Sequence, residues 1–152
     1  MAIPDSERAP TAALPPRNEQ GALLCSYCRQ PAVLRETSTH LFDRDRGPVW
    51  ECEPCGAWTL CSEGTISPRG RLANGMLRDT LKEAHGLFER LCQKKAQRDG
   101  CDLKAARRAG KRWLAGQLGI DTKLCDFSLF NLGMARRVED VCSAVLNKSK
   151  RY

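Results

Sequence analysis

The chain has 152 residues, of which 41% are apolar and 28% charged, and its formal net charge is +7. That length holds one or two small units. No apolar run approaches the roughly 20 residues of a membrane-spanning helix, so no membrane contact is expected.

The opening Met1-Ala-Ile-Pro-Asp-Ser-Glu has no basic start followed by an apolar stretch, so it does not read as a secretory leader. Nine cysteines, an odd number, argue further against a disulfide-stapled extracellular fold. A reducing cytoplasm is the expected compartment. Residues 1–20 hold Pro4, Pro10, Pro15 and Pro16 among small and charged residues. Such a composition buries little, and the segment is expected to be a disordered tail.

The next segment, 21–63, carries Cys25-Ser-Tyr-Cys28, a 23-residue spacer, and Cys52-Glu-Pro-Cys55-Gly56. Each Cys-x-x-Cys turn brings two thiolates to one point, and two such turns complete a tetrahedron of soft ligands. The pattern points to one structural Zn2+ on Cys25, Cys28, Cys52 and Cys55. A redox dithiol or four unrelated core cysteines are the competing explanations, and Cys61 and His40 are spare potential ligands. Four protein ligands leave no open position for water, which makes the site structural and not catalytic.

Short extended stretches surround the cysteines. Ala32-Val33-Leu34, His40-Leu41-Phe42, Val49-Trp50-Glu51-Cys52 and Ala57-Trp58-Thr59-Leu60 predict a three- or four-stranded antiparallel ribbon, with 43–48 as a charged turn. Trp50 and Trp58 are expected to pack on each other or to roof the metal. Gly56 suits a tight knuckle, whereas Arg29 in the same place makes the first knuckle less typical. Residues 64–70, rich in Gly and Pro, read as a linker.

The period then changes to helical over 71–147. Leu77, Leu81, Ala84, Phe88 and Leu91 mark a first helix from about Arg71 to Lys95, stopped by Asp99-Gly100. A second helix runs from about Asp102 to Gln117. At 100° per residue, Lys104, Arg107, Arg108, Lys111 and Arg112 fall within one arc of about 140°. Ala105, Ala106, Ala109, Trp113 and Leu114 fill the other side. A last helix from about Gly133 to Leu146 carries a stripe of Met134, Val138, Val141 and Val145, and residues 148–152 form a polar tail. Cys92, Cys101, Cys125 and Cys142 show no paired spacing and read as reduced thiols. The fold class is therefore α+β: a small antiparallel zinc ribbon followed by a three-helix C-terminal region.

Charge is unevenly spread. Residues 71–152 carry eighteen basic and nine acidic groups, whereas residues 1–70 are slightly acidic. A basic C-terminal half favours DNA or RNA as partner, with Lys104, Arg107, Arg108, Lys111 and Arg112 as the binding face. The alternative is a protein-binding module whose same face meets an acidic host protein. Little points to an enzyme. His40 and His85 are far apart, no Gly-Lys-Ser/Thr phosphate loop occurs, and no deaminase signature is present. Cys61 and Cys125 have no matched base.

The two cysteine pairs, then Pro68-Arg69-Gly70-Arg71-Leu72-Ala73-Asn74, Leu77-Arg78, Lys82-Glu83-Ala84-His85 and Leu87-Phe88, resemble a zinc-finger family found mainly in bacteriophages and prophages. Arg112-Trp113-Leu114-Ala115 and Leu118-Gly119-Ile120 are similar to its C-terminal part. Arg69 and Glu89 depart from its Leu and Asp, and Cys125-Asp126 stands where it often has a Cys-His turn. The resemblance implies a phage-encoded zinc protein acting in the bacterial cytoplasm and no mechanism; inhibiting or redirecting a host defence or transcription complex belongs to the protein-binding alternative.

Overall fold

The computed structural model describes residues 5–149. The chain divides into two compact units, one formed by Ala13–Arg78 and the other by Met1–Ala12 together with Asp79–Tyr152. The first is a ribbon of three strands, β1 (Val33–Arg35), β2 (Val49–Cys52) and β3 (Ala57–Leu60), in antiparallel order β1-β2-β3. The second holds a short N-terminal helix, α1 (Asp5–Arg8), and the long helices α2 (Gly75–Asp99), α3 (Leu103–Leu118) and α4 (Leu132–Ser149), the first turn of α2 belonging to the ribbon unit. This is the α+β class expected from the sequence.

Register explains the two tryptophans. Trp50 pairs with Thr59 and Trp58 with Glu51, so the indoles lie on opposite faces and cannot pack together. Trp50 joins the cluster around Leu23, Cys25, Cys52, Ala57 and Leu72. Trp58 meets Phe42 edge-on, with ring centroids 5.3 Å apart.

The β1–β2 connection is a loop, without the extended stretch expected at His40–Phe42. Ser38, fully buried, organises it: Leu41 and Phe42 donate to its carbonyl, and Arg46 N donates to its Oγ at 2.7 Å. Asp45 Oδ1 accepts from the amides of Ser38 and Gly47, which holds its carboxyl below the usual range. Local side-chain bonds of this kind outcompete a strand.

The stretch expected to be a linker is folded onto the ribbon. Pro68 bridges Cys61, Arg69 N donates to Leu60 O, and Ala73 exchanges both backbone bonds with Trp58 at 3.0 and 3.1 Å. The outer edge of β3 is thereby covered. Residues 71–74 accordingly lie outside the helix, and α2 starts later than its periodicity suggests. Asn74 caps it, its Oδ1 accepting from Leu77 N at 3.0 Å.

In the helical unit α3 is capped at both ends. Asp102 accepts from Ala105 N, and Gly119 adopts φ 69° beyond the last turn, with Ile120 N donating to Ala115 O. A methyl group on Gly110 would sit 3.0 Å from Cys92 Sγ and 3.2 Å from Phe88, so the missing side chain lets α3 approach α2. On α4 the buried stripe is Met134, Ala135, Val138, Cys142 and Leu146, while Val145 is exposed. The expected stripe drifted because it passed over Cys142, which packs as a small apolar residue. Cys92, Cys125 and Cys142 all lie in this core.

The N-terminal segment is a correction. Within 1–20, the described residues from 5 onward are folded, and residues 1–4 lie outside the described residues. Ala12 bridges Phe130. Asn131, 2% exposed, accepts from Thr11 N and Met134 N and donates to Ser6 O and Ala9 O. Further on, Leu24 N donates to Pro16 O and Arg17 bridges Leu23. Composition described the segment by itself, but Ser6 O, Ala9 O and Thr11 N are satisfied by Asn131, more than a hundred positions away. Of the expected C-terminal tail, Lys148 and Ser149 continue α4, and residues 150–152 lie outside the described residues.

Candidate metal centre and basic face

Cys25 and Cys28 sit in the turn before β1, Cys52 ends β2, and Cys55 lies in the β2–β3 turn. Their four sulfurs lie within 4.8 Å of one another. Cys28 Sγ and Cys52 Sγ are 3.6 Å apart. A tetrahedron with metal–sulfur bonds of about 2.3 Å has edges of about 3.8 Å, so the donor set fits one zinc ion. Cys61 is buried but stands outside this group, and the His40 ring is engaged by Glu51 Oε2 at 2.8 Å. The spare ligands are thereby set aside.

Both knuckles share one backbone geometry. Arg29 has φ 64° and Gly56 φ 63°, each directly after the second cysteine of its pair, and Arg29 is the sole non-glycine with positive φ among the described residues. Amides point at sulfur in both. Tyr27 N donates to Cys25 Sγ at 3.4 Å, and the backbone of Gln30 to Cys28, whose thiol is held below its ordinary range mainly for that reason. The amide of Cys55 does the same for Cys52. Burial and then the neighbouring thiols nevertheless hold Cys52 and Cys55 above the ordinary range. Four thiolates this close need a cation among them, which is the chemistry of a closed zinc site.

Backbone strain makes a prediction here. A left-handed non-glycine residue costs about 1–2 kcal/mol, and glycine loses about 0.5–1 kcal/mol more than alanine on ordering. Arg29→Gly is therefore expected to raise the stability of the zinc-loaded protein by about 0.5–1 kcal/mol. Gly56→Ala meets no atom within 4 Å, so its cost is strain alone, about 1 kcal/mol. Denaturant midpoints of the two variants moving in the same direction would contradict the assignment.

The run from Gly70 to Arg78 wraps the same unit. The Arg71 guanidinium lies over the Tyr27 ring, 5.0 Å from its centroid, and Leu72 is fully buried in the cluster with Cys25 and Cys52. Tyr27 Oη accepts from Asn74 N at 3.1 Å. The Arg78 guanidinium lies 4.3 Å from the Trp58 centroid and donates to Ala73 O. Periodicity alone assigned residues 71–74 to a helix, since nothing local signals a partner in the first knuckle.

The five cations chosen from the helical wheel all fall on α3, and all are exposed. Arg107 differs from the rest. It makes a forked ion pair with Glu89 of α2, which holds the Glu89 carboxyl below its usual range. Among the described residues no carboxylate pairs with Lys104, Arg108, Lys111 or Arg112 within 4.0 Å. No described helix is long and apolar enough to cross a membrane.

A short antiparallel sheet closed over a four-thiol group by two matched knuckles defines a small zinc-ribbon protein. A family model described as a zinc-finger-containing domain, DUF3268, matches residues 22–145, and the chain belongs to that family. No curated protein and no solved structure matches it.

Proposed function

We propose that this zinc protein binds nucleic acid without catalysing a reaction, using the exposed face of α3 as its contact surface. The observation that carries this reading is the set Lys104, Arg108, Lys111 and Arg112: four exposed cations on one helical arc, with no carboxylate partner among the described residues. Cations left unneutralised on one side of a rigid element are suited to phosphates. The zinc site, closed by four thiolates, stiffens the ribbon and takes no part in contact. The resemblance to phage and prophage proteins, together with the cysteine usage, supports action in the cytoplasm of a bacterial host.

Four phosphate contacts predict a slope of about −3.6 in log affinity against log salt on duplex DNA, or about two orders of magnitude between about 50 and 200 mM. Glu89→Gln releases Arg107, and the slope is expected to steepen by up to about 0.9. Fluorescence anisotropy with labelled DNA and RNA measures both. Affinity that stays flat with salt excludes the proposal. If nuclease-treated host lysate instead yields one acidic protein partner, and no nucleic acid binds, the same cations serve a protein interface that inhibits or redirects a host complex.

A further inference from the structure

Two of the α3 cations, Arg107 and Lys111, also line a cavity of about 400 Å³ in the helical unit. His85 and Glu89 enter it from α2, and Asp126 and Phe127 from the segment before α4. Its charges cancel. Arg107 is committed to Glu89, and Lys111 shares the space with the Asp126 carboxylate. Nothing inside selects a multiply charged anion such as free phosphate.

Its apolar part is a platform. The Phe127 ring is partly exposed and is buttressed by Phe130 and Phe88, with centroids 5.3 and 5.8 Å away. The exposed His85 ring meets Phe127 edge-on at 5.2 Å. Asp126 Oδ1 is occupied by Ser128, which holds the carboxylate in place. A neutral planar group with polar edges matches an aromatic platform rimmed by balanced charges. Outside the cavity, on the same helix, Lys104, Arg108 and Arg112 remain available to a polyanion.

We propose that this cavity receives one unstacked base of a single-stranded nucleic acid, the base lying on Phe127 beside His85 while Lys104, Arg108 and Arg112, with Lys111 at the rim, meet the flanking phosphates. The proposal rests on the nucleic-acid reading above and narrows it, because a base stacked inside a duplex cannot enter a pocket. Stacking on an aromatic ring is tolerant of base identity, so the cavity gives a preference for strandedness and not for sequence.

The test compares three labelled ligands on the full zinc-loaded chain, measured by anisotropy at about 50 mM salt: a pyrimidine single strand, as DNA and as RNA; the same backbone with its bases removed; and a duplex of equal length. The intact strand is expected to bind roughly tenfold tighter than the abasic strand, the scale of one stacked base. It should also bind more tightly than the duplex. His85→Ala and Phe127→Leu, checked for unchanged melting, should shrink the gap, and the abasic strand supplies the same contrast on the native protein if Phe127→Leu fails to fold. Equal, salt-sensitive binding of all three overturns the base pocket and leaves the basic face intact. No binding of any ligand overturns the nucleic-acid reading and this inference together.

Discussion

Cys52→Ser, or a strong chelator, is expected to release the zinc equivalent and unfold the ribbon unit, while α3 and α4 keep their helical signal. The cluster at the centre of that unit consists of Leu23, Cys25, Cys52, Ala57 and Leu72. Two of its five members are zinc ligands, and the three strands are only three or four residues long. So little apolar area cannot offset the chain entropy of ordering the unit. Structural zinc binding supplies folding free energy on the scale of about 10–16 kcal/mol, far more than any side chain here. Metal content and the near-ultraviolet signal of Trp50 and Trp58 report on the unit, and circular dichroism at helical wavelengths reports on the rest. A Cys52→Ser protein that retains one zinc and its tryptophan signal would refute the four-thiolate site. Cys61→Ser, outside the group, should keep the metal.

Gly133→Ala is expected to dislodge the N-terminal segment from the start of α4. A methyl group there would stand 2.2 Å from Arg8 O and 2.8 Å from Arg8 C. Both are backbone atoms, so no side-chain rotation relieves the overlap. The segment must move, and Asn131 then loses Ser6 O, Ala9 O and Thr11 N as partners. Overpacking of this kind costs about 1–3 kcal/mol, and each buried polar group left unsatisfied costs about 1–3 kcal/mol more. Faster tryptic cleavage after Arg8 and a lower melting temperature should appear together. Asn131→Asp approaches the same segment from its partner's side: it keeps the acceptor for Met134 N but sets a buried carboxylate oxygen against the Ser6 and Ala9 carbonyls, so it should loosen the segment and lower stability at neutral pH. A Gly133→Ala protein with native melting and native protection at Arg8 would show that the segment is not seated there.

What the sequence made legible was local. Two thiols three residues apart announce a knuckle, and a change of period from two to 3.6 announces the helices. The α3 wheel needs only residue numbers, so its five exposed cations were readable in advance, although the ion pair that occupies Arg107 was not, because Glu89 lies on another helix. What stayed hidden depends on distant partners or on backbone shape. The left-handed turn at Arg29 copies Gly56, yet its residue type gives no sign of it. Gly70 to Arg78 looked like linker and helix start because Tyr27 and Trp58, which fix it, are 47 and 15 residues away from the atoms they touch in Asn74 and Ala73. Nothing local singles out Asn131, and proline content made its partners look unstructured.

The bond from Thr11 to Asn131 spans 120 residues, and this has a consequence for synthesis on the ribosome. At roughly 5–20 residues per second, the segment around Thr11 leaves the exit tunnel about 6–24 s before its partner does. During that interval the whole of 13–78 is made and can take up zinc. Thr11 thus waits for a partner made much later, and the contact that ties it to α4 closes only when both Thr11 and Asn131 have left the ribosome.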